Sequence, residues 1–189
     1  MTTPPPAEIG MPLEDVDTPA LLLDLDAFER NLDRMAEKLK GKPVKLRPHS
    51  KSHKCAVIGL AQMARGAVGL CCQKVGEAEA MVAGGVLNVL VSNQIVGRPK
   101  LLRLAALSKQ AEWLGVCVDH PDNVDQLNEA AAAMDATLNV LVEIDTGAGR
   151  CGVAPGQAAV DLAKQIDSAT NLVFAGLQAY QGRAQHVRT

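Results

Sequence analysis

Aromatic residues are nearly absent from this sequence: they make up 2% of its 189 residues, although hydrophobic residues make up 48%. A buried core must therefore be built mainly from Ala, Val and Leu, and a chain of this length can bury one substantial core. The scarcity of aromatic rings removes the stacking platforms that single-stranded nucleic acid requires. Neither sign of charge dominates, because 19 Lys and Arg stand against 21 Asp and Glu, for a net charge of -2. This balance argues against a partner that is a nucleic acid or an anionic membrane.

Long apolar runs and secretory signals are also missing. No stretch approaches the roughly 20 apolar residues of a membrane helix. The N-terminus, MTTPPPAEIG, has neither the basic nor the apolar region of a signal peptide. Five cysteines without a secretory context indicate reduced thiols and a cytoplasmic protein. Residues 1–16 are predicted to form a flexible tail, because the three prolines at 4–6 lack amide donors.

Apolar segments of strand length alternate with segments of helical periodicity along the chain. The first helix is predicted to begin at an Asp26 N-cap, with Glu29 in the capping-box position, and to end at Gly41. Alternation at intervals of roughly 20 to 35 residues indicates βα units and a parallel sheet. Strands are predicted at 20–25, 44–51, 69–72, 89–92, 114–118, 138–144 and 172–177, and further helices at 56–64, 75–83, 99–110, 121–134 and 155–166.

Polar residues gather where the predicted strands end. In a barrel of βα units, the C-terminal ends of the strands form the active-site face. No Gly-x-Gly-x-x-Gly follows a first strand, which weakens a doubly wound dinucleotide-binding fold. The distribution therefore favours a (β/α)8 barrel. The strand-end residues are Lys51, Gln73, Asn93, Asp119, His120, Asp145, Thr146, Tyr180 and Gln181.

The segment from Arg47 to Lys54, RPHSKSHK, is strongly polar and follows a Lys42-Pro43 break. A row of cations is costly on a buried face unless that face lines a wet, functional cavity. The other interpretation is a solvated edge strand. The lysine at the end of this row has positive neighbours. These favour the uncharged form of its amine, which is the form that reacts with a carbonyl group. Side-chain alternation on a strand places these cations on one face: Lys45, Arg47, His49 and Lys51.

Three motifs in order resemble one known family. Residues 17–20 (DTPA), followed by the polar segment at 47–54, resemble the start of D-threonine aldolases and eukaryotic-type D-serine dehydratases. Residues 143–153 (EIDTGAGRCGV) resemble their fifth barrel strand, and residues 176–182 (GLQAYQG), with Gln185-His186 beyond, resemble their sixth. The resemblance covers the chain from Asp17 onward. It implies a TIM-type barrel of the alanine racemase N-terminal kind, which binds pyridoxal phosphate beside a separate β-domain.

The resemblance also implies which lysine carries the cofactor. Lys51 looks like the lysine to which pyridoxal phosphate is covalently bound in the family, and so like a catalytic residue. Lys54 is the competing candidate. Because Lys54 lies beyond the predicted strand end, it is expected to face solvent or to open the next helix.

Four further residues match positions of the family's cofactor site. Arg150 looks like the arginine that reaches the phenolic oxygen of the cofactor, where a planar guanidinium suits better than an ammonium; the alternative is a surface arginine at a helix start. Tyr180 looks like the strand-end tyrosine beside the cofactor and is the second catalytic candidate; the alternative is core packing. His49 and Asn93 match more loosely and are expected next to the residues that contact the cofactor.

A metal site is not predicted within this segment. His49 and His53 have a ligand-like spacing, but residues four apart on an extended strand lie about 13 Å from each other. They could share a metal only if the chain turned between them. The resemblance implies a divalent metal, Mn, Mg or Zn, only with the C-terminal β-domain, which the sequence does not contain.

The function that the resemblance implies is a pyridoxal-phosphate-dependent lyase acting on D-β-hydroxy-α-amino acids. D-threonine aldolase, which cleaves its substrate to glycine and an aldehyde, is preferred because residues 178–180 and 185–188 look closer to that enzyme. D-serine or D-3-hydroxyaspartate dehydratase is the alternative. A non-catalytic pyridoxal-phosphate-binding protein and an inactive fragment are further alternatives. The resemblance also implies a homodimer in the full-length form.

The barrel is predicted to be truncated. The sequence ends after about six strands, whereas a closed (β/α)8 barrel has eight and typically about 250 residues. Residues 17–189 are therefore expected to form a partial pyridoxal-phosphate-binding barrel domain. An open arc leaves edge strands unpaired, so the segment alone is expected to be a poor catalyst.

Overall fold

The computed structural model describes residues 5–188 and divides the chain into two compact units, residues 1–38 and 39–189. The first unit contains a 3-10 turn at Leu13–Asp15 and helix α1, Leu25–Leu39, whose last residue falls just past the boundary. The predicted tail, residues 1–16, begins with four residues that lie outside the described part.

Two expectations for the start of the chain are wrong. Residues 20–24 form no strand and Leu25 already belongs to α1, because an apolar run indicates burial but not the strand partner that a ladder needs. The cap of α1 is Asp24, whose Oδ1 accepts a hydrogen bond from the Ala27 N–H at 2.9 Å. The predicted Asp26 lies two residues too late, since either aspartate fits the N-cap preference by residue type alone.

The second unit is a parallel sheet with helical connections. Each strand predicted from 69 onward is present, and each helix predicted from 56 onward is present within a few residues. The five named strands pair in the order β1-β2-β3-β4-β5, all parallel. The elements are α2 (Ala56–Met63), β1 (Leu70–Cys72), α3 (Val75–Ala83), β2 (Asn88–Gln94), α4 (Arg98–Ser108), β3 (Trp113–Val118), α5 (Pro121–Ala133), β4 (Leu138–Ile144), α6 (Gln157–Ser168), β5 (Leu172–Ala179) and a 3-10 turn at Gly182–His186.

A short extended stretch of the polar segment pairs with β1 and adds a sixth strand-like element to the sheet. His49 forms a parallel bridge with Cys71 of β1. The Ser50 N–H donates to the Cys71 carbonyl at 2.8 Å, and the Cys71 N–H donates to the Pro48 carbonyl at 2.7 Å. The predicted strand at 44–51 is therefore shorter than expected but lies at the expected place. It brings the residues after Ser50 to the same edge as the ends of β1 to β5.

The two faces of the sheet differ in chemistry. One face packs against the helices and holds fully buried aliphatic residues such as Leu70, Leu114 and Val140, as the scarcity of aromatic residues predicts. The other face is more polar and includes Trp113, which lies over Gly115 where a β-carbon would collide with the ring. Among the described residues, no helix is long and apolar enough to cross a membrane.

Candidate active site

A small cavity lies at the C-terminal edge of the sheet. All five residues singled out from the sequence line it: Lys51, Arg150, Tyr180, His49 and Asn93. Its volume is about 60 Å³, and Gln73, Ser92 and Gln178 complete its wall. These side chains come from the ends of different strands and from the loops that follow them. The parallel sheet therefore brings together residues that are far apart in the sequence, as the strand-end pattern predicted.

His49 is held in place on both ring nitrogens. Its Nδ1 accepts a hydrogen bond from the backbone N–H of Lys51 at 3.3 Å. Its Nε2 lies 3.4 Å from Ser92 Oγ, and this hydroxyl donates to the Cys72 carbonyl at 3.4 Å. In the neutral ring, Nε2 therefore carries the proton and donates a hydrogen bond to Ser92 Oγ. Burial lowers the pKa of His49, and the charge of Lys51 lowers it further, so the neutral imidazole is favoured.

The two candidate lysines have different surroundings. Lys51 lines the cavity. Lys54 forms an ion pair with Glu77, with 3.4 Å between its Nζ and Oε1, and does not belong to the cavity wall. Glu77 also accepts the Gln73 N–H at 2.8 Å, at the start of α3. Of the two lysines, only Lys51 therefore belongs to the wall of this cavity.

The predicted row of four cations divides in the structure. His49 and Lys51 line the cavity, whereas the guanidinium carbon of Arg47 lies 4.9 Å from the ring centroid of Trp113. Arg47 also donates to the Asn88 carbonyl at 3.4 Å, and Lys45 is exposed. The interpretation as a functional cavity therefore holds for His49 and Lys51, and the interpretation as a solvated edge holds for Lys45. The aromatic face of Trp113, at the start of β3, attracts the Arg47 guanidinium.

The loop that follows β4 is built to present Arg150. Asp145 Oδ1 accepts hydrogen bonds from the Gly147 N–H at 2.9 Å and the Gly149 N–H at 3.1 Å. The bond from Gly149, followed by that from Gly147, lowers the pKa of Asp145. Gly152 has φ +105, and a β-carbon there would lie 2.5 Å from the Asp145 backbone nitrogen. Only glycine fits this position without strain.

Arg150 stacks on Tyr180. The guanidinium carbon lies 4.1 Å from the centroid of the phenol ring. Two hydrogen bonds join the loops that carry these side chains. The Thr146 hydroxyl donates to the Tyr180 carbonyl at 3.5 Å, and the Gln181 amide donates to the Thr146 carbonyl at 2.9 Å. Arg150 is therefore not an isolated surface arginine. Tyr180 is not a core residue either.

Sequence reasoning missed a buried carboxylate below this pair. Glu143, on β4, is 1% exposed. Its Oε2 accepts a hydrogen bond from Gln94 Nε2 at 2.8 Å. Its Oε1 lies 3.7 Å from the nearest nitrogen of Arg150. A carboxylate inside an otherwise apolar strand was the signal that could have identified it.

A larger cavity of about 530 Å³ adjoins the small one and shares Arg150 and Tyr180 with it. Its remaining wall includes the basic residues Arg183 and His186, and no acidic side chain of the described chain lines it. The Gln185 amide nitrogen lies 3.4 Å from His186 Nε2. An electropositive cavity of this kind favours an anionic ligand.

The two histidines of the polar segment contact different groups. His53 Nδ1 accepts the Cys55 N–H at 3.1 Å, while both nitrogens of His49 are engaged as described. Among residues 5–188, no three His, Cys, Asp or Glu side chains are grouped so that they could hold a metal ion.

The residues around the two cavities fit pyridoxal phosphate. An aldehyde cofactor with a phenolate and a phosphate requires an amine and positively charged groups. The cavity wall contains the amine of Lys51 and the guanidinium of Arg150, which is stacked on the Tyr180 ring. The site also lies at the strand ends, where barrels bind their ligands.

A parallel βα sheet with polar side chains at its C-terminal edge is typical of ligand-binding α/β proteins, (β/α)8 barrels among them. Residues 23–189 match the alanine racemase N-terminal domain, and the chain belongs to this family. The resemblance and the fold class expected from the sequence are thereby confirmed.

Three similar proteins place the chain more closely within the family. It is 48% identical over 186 residues to a D-threonine aldolase of Arthrobacter sp., covering 98% of this chain and 49% of the relative. It is 46% identical to a 3-hydroxy-D-aspartate aldolase of Paracoccus denitrificans, covering 96% and 47%. The crystal structure of a D-threonine aldolase from Filomicrobium marinum superposes with a TM-score of 0.93 at 58% identity, covering 98% and 50%. The chain thus spans about half the length of these relatives.

Proposed function

We propose that this chain is the cofactor-binding part of a pyridoxal-phosphate-dependent lyase, and that the full-length protein is a D-threonine aldolase. The observation that carries the proposal is the convergence of Lys51, Arg150 and Tyr180 on one cavity at the strand ends. The similar proteins support it, because they are aldolases of D-β-hydroxy-α-amino acids by name. Residues 17–189 form, in this proposal, a partial barrel domain.

The residues of the small cavity would hold the cofactor. When bound, pyridoxal phosphate supplies an electron sink for the negative charge that develops on the α-carbon of the substrate. Lys51 provides the amine for covalent attachment. Arg150 presents a guanidinium to an anionic oxygen, and the Tyr180 ring, 4.1 Å away, restricts its movement. His49 binds the backbone of Lys51 and Asn93 completes the wall, so both orient the residues that touch the cofactor.

Cleavage of the bond between the α- and β-carbons requires removal of the proton from the β-hydroxyl group. Tyr180 and His186 both line the larger cavity, where a substrate side chain would lie. Histidine and tyrosine side chains commonly transfer protons in enzymes, and the Gln185 amide nitrogen lies 3.4 Å from His186 Nε2, where it orients the ring. We assign proton transfer at the β-hydroxyl to these two residues.

The products decide between the proposed activities. The full-length protein, loaded with pyridoxal phosphate, should convert D-threonine to glycine and acetaldehyde, measured by amino-acid analysis and aldehyde trapping. Formation of a 2-oxo acid and ammonia from D-serine or 3-hydroxy-D-aspartate would instead establish a dehydratase. Cofactor binding without either product would indicate a non-catalytic carrier.

A second candidate substrate is 3-hydroxy-D-aspartate. Arg150 and Arg183 give the larger cavity a positive character that would suit the additional carboxylate of this substrate. A relative that is 46% identical carries this activity in its name. A kcat/KM for 3-hydroxy-D-aspartate that exceeds the value for D-threonine would favour this candidate.

The proposal extends to the setting of the full-length protein. The five cysteines are all unpaired in the described chain, which supports the cytoplasm as its location. A homodimer and a divalent metal bound by a C-terminal domain are expected from the sequence resemblance. Light scattering would test the first, and loss of activity on treatment with a chelator would test the second.

A further inference from the structure

Glu143 is the one charged residue among the fully buried residues of the described chain, where the other buried polar residues are Ser50 and Asn123. Its side chain, on β4, is 2% exposed. An ionised carboxylate in such a place is costly unless it is paired with a positive charge and hydrogen-bonded. Glu143 must therefore be understood together with the groups that contact it.

Two groups contact the carboxylate, one on each oxygen. The Gln94 amide donates to Oε2 at 2.8 Å, and the Arg150 guanidinium lies 3.7 Å from Oε1. Gln94 reaches Glu143 from β2 across β3, where its partner in register is Cys117. A small residue at this point leaves room for the contact. The register of β2 shifts between Val91 and Gln94, a bulge of the kind that re-aims a side chain.

We propose that Glu143 is the positioning residue for Arg150, and that Gln94 fixes the Glu143 carboxylate in turn. The Arg150 guanidinium is then held between a buried carboxylate at 3.7 Å and an aromatic ring at 4.1 Å. The inference rests on the proposed function, because the group that Arg150 is positioned for is the cofactor.

The arrangement leaves Arg150 ordered but available. Its side chain remains 49% exposed, so guanidinium nitrogens are free to contact an anionic ligand. A side chain that is ordered before binding loses less conformational freedom when the ligand binds. Burial raises the pKa of Cys117, and the adjacent Glu143 carboxylate is the next largest cause.

The first test needs no ligand. In a crystal structure of the full-length Glu143→Gln variant without cofactor, the Arg150 guanidinium should leave the Tyr180 ring, to beyond the roughly 6 Å range of a cation–π contact. Glu79→Gln is the matched control, since Glu79 pairs with Arg103 on α3 and α4, away from the cavities. Arg150 should stay stacked in that control. Arg150 still at its wild-type distance from Tyr180 in Glu143→Gln would overturn the proposal.

The second test measures cofactor affinity. Titration with pyridoxal phosphate, followed by absorbance, should show a Kd about tenfold higher for Glu143→Gln than for wild type, and no change for Glu79→Gln. If Glu143 acts through Arg150, the double variant Glu143→Gln/Arg150→Lys should bind no more weakly than Arg150→Lys alone. Fully additive losses would mean that Glu143 acts independently, and the proposal would fail.

A wild-type protein that does not bind the cofactor would refute the proposed function, while the ligand-free structures would still decide this inference.

A further variant covers the case in which Glu143→Gln does not fold. Gln94→Met keeps the length of the side chain but removes the hydrogen bond to the carboxylate. A smaller displacement of Arg150 and a Kd about threefold higher are expected. An unchanged Arg150 position together with an unchanged Kd in Gln94→Met would overturn the role of this chain of contacts.

Discussion

The guanidinium carbon of Arg150 lies 4.1 Å from the ring centroid of Tyr180, so the loop after β4 contacts the residue that follows β5 through a cation and an aromatic ring. The hydrogen bond from Gln181 to the Thr146 carbonyl, at 2.9 Å, joins the same two loops. Because both cavities share Arg150 and Tyr180, this pair lies between the space proposed for the cofactor and the space proposed for the substrate.

Arg150→Lys tests whether Arg150 and its contact with Tyr180 contribute to catalysis. The lysine keeps a positive charge for Glu143 but loses the planar fork and the stacking on Tyr180. In the full-length protein, kcat should fall by about 100-fold. The thermal midpoint should change little, because the Arg150 side chain is 49% exposed. A strongly destabilised variant would support a structural role for Arg150 instead.

Lys51 and Lys54 can be distinguished by labelling. Borohydride treatment of the full-length protein mixed with pyridoxal phosphate should fix the cofactor to Lys51, as located by peptide mapping. Lys51→Ala should abolish both the label and the lyase activity. Lys54→Ala is the matched control: it removes an ion pair whose lysine is 63% exposed, so stability should fall by no more than about 1 kcal/mol. A label on Lys54 would contradict the assignment.

The positions of the helices and strands could be predicted because the periodicity of apolar residues is a local signal. Helix α3, Val75–Ala83, begins and ends where the pattern indicated. The strand predicted at 20–25 failed for the same reason, since the pattern contains no information about the partner strand. Polar residues at strand ends pointed to Lys51 and Tyr180, whereas Arg150 was singled out only by the resemblance to a known family.

Contacts between distant segments could not be predicted. Gln94 and Glu143 are 49 residues apart, and their contact depends on a bulge in β2 and a small residue on β3. Alternation placed Arg47 on the same face as His49, but it did not reveal that Trp113 would hold Arg47 away from the cavity. Both facts depend on tertiary packing.

The stability of the protein should depend on pH through His49 and His53. Burial lowers the pKa of both histidines, and the charge of Lys51 lowers that of His49 further. The unfolded chain, with histidine pKa values of about 6.5, therefore binds more protons than the folded chain below that pH. The contribution of these two histidines to stability is therefore fully present above about pH 6.5. It is lost as the pH falls toward their lower pKa values in the folded state. His49→Gln and His53→Gln should each reduce the dependence of the thermal midpoint on pH between about pH 7.5 and 5. A pH dependence equal to that of the wild type in both variants would contradict the assignment.

Gly152→Ala should disrupt the loop that presents Arg150. At φ +105 an alanine is strained, and its β-carbon would lie 2.5 Å from the backbone nitrogen of Asp145. We expect a loss of about 2 to 3 kcal/mol in the free energy of unfolding, measured by urea denaturation, and weaker binding of pyridoxal phosphate. Gly149→Ala is the control in the same loop, because Gly149 has φ +63 and open space around its α-carbon. That variant should lose only about 1 kcal/mol, since alanine tolerates the left-handed region at moderate cost. Equal losses in the two variants would show that the steric contact at Gly152 does not determine the loop.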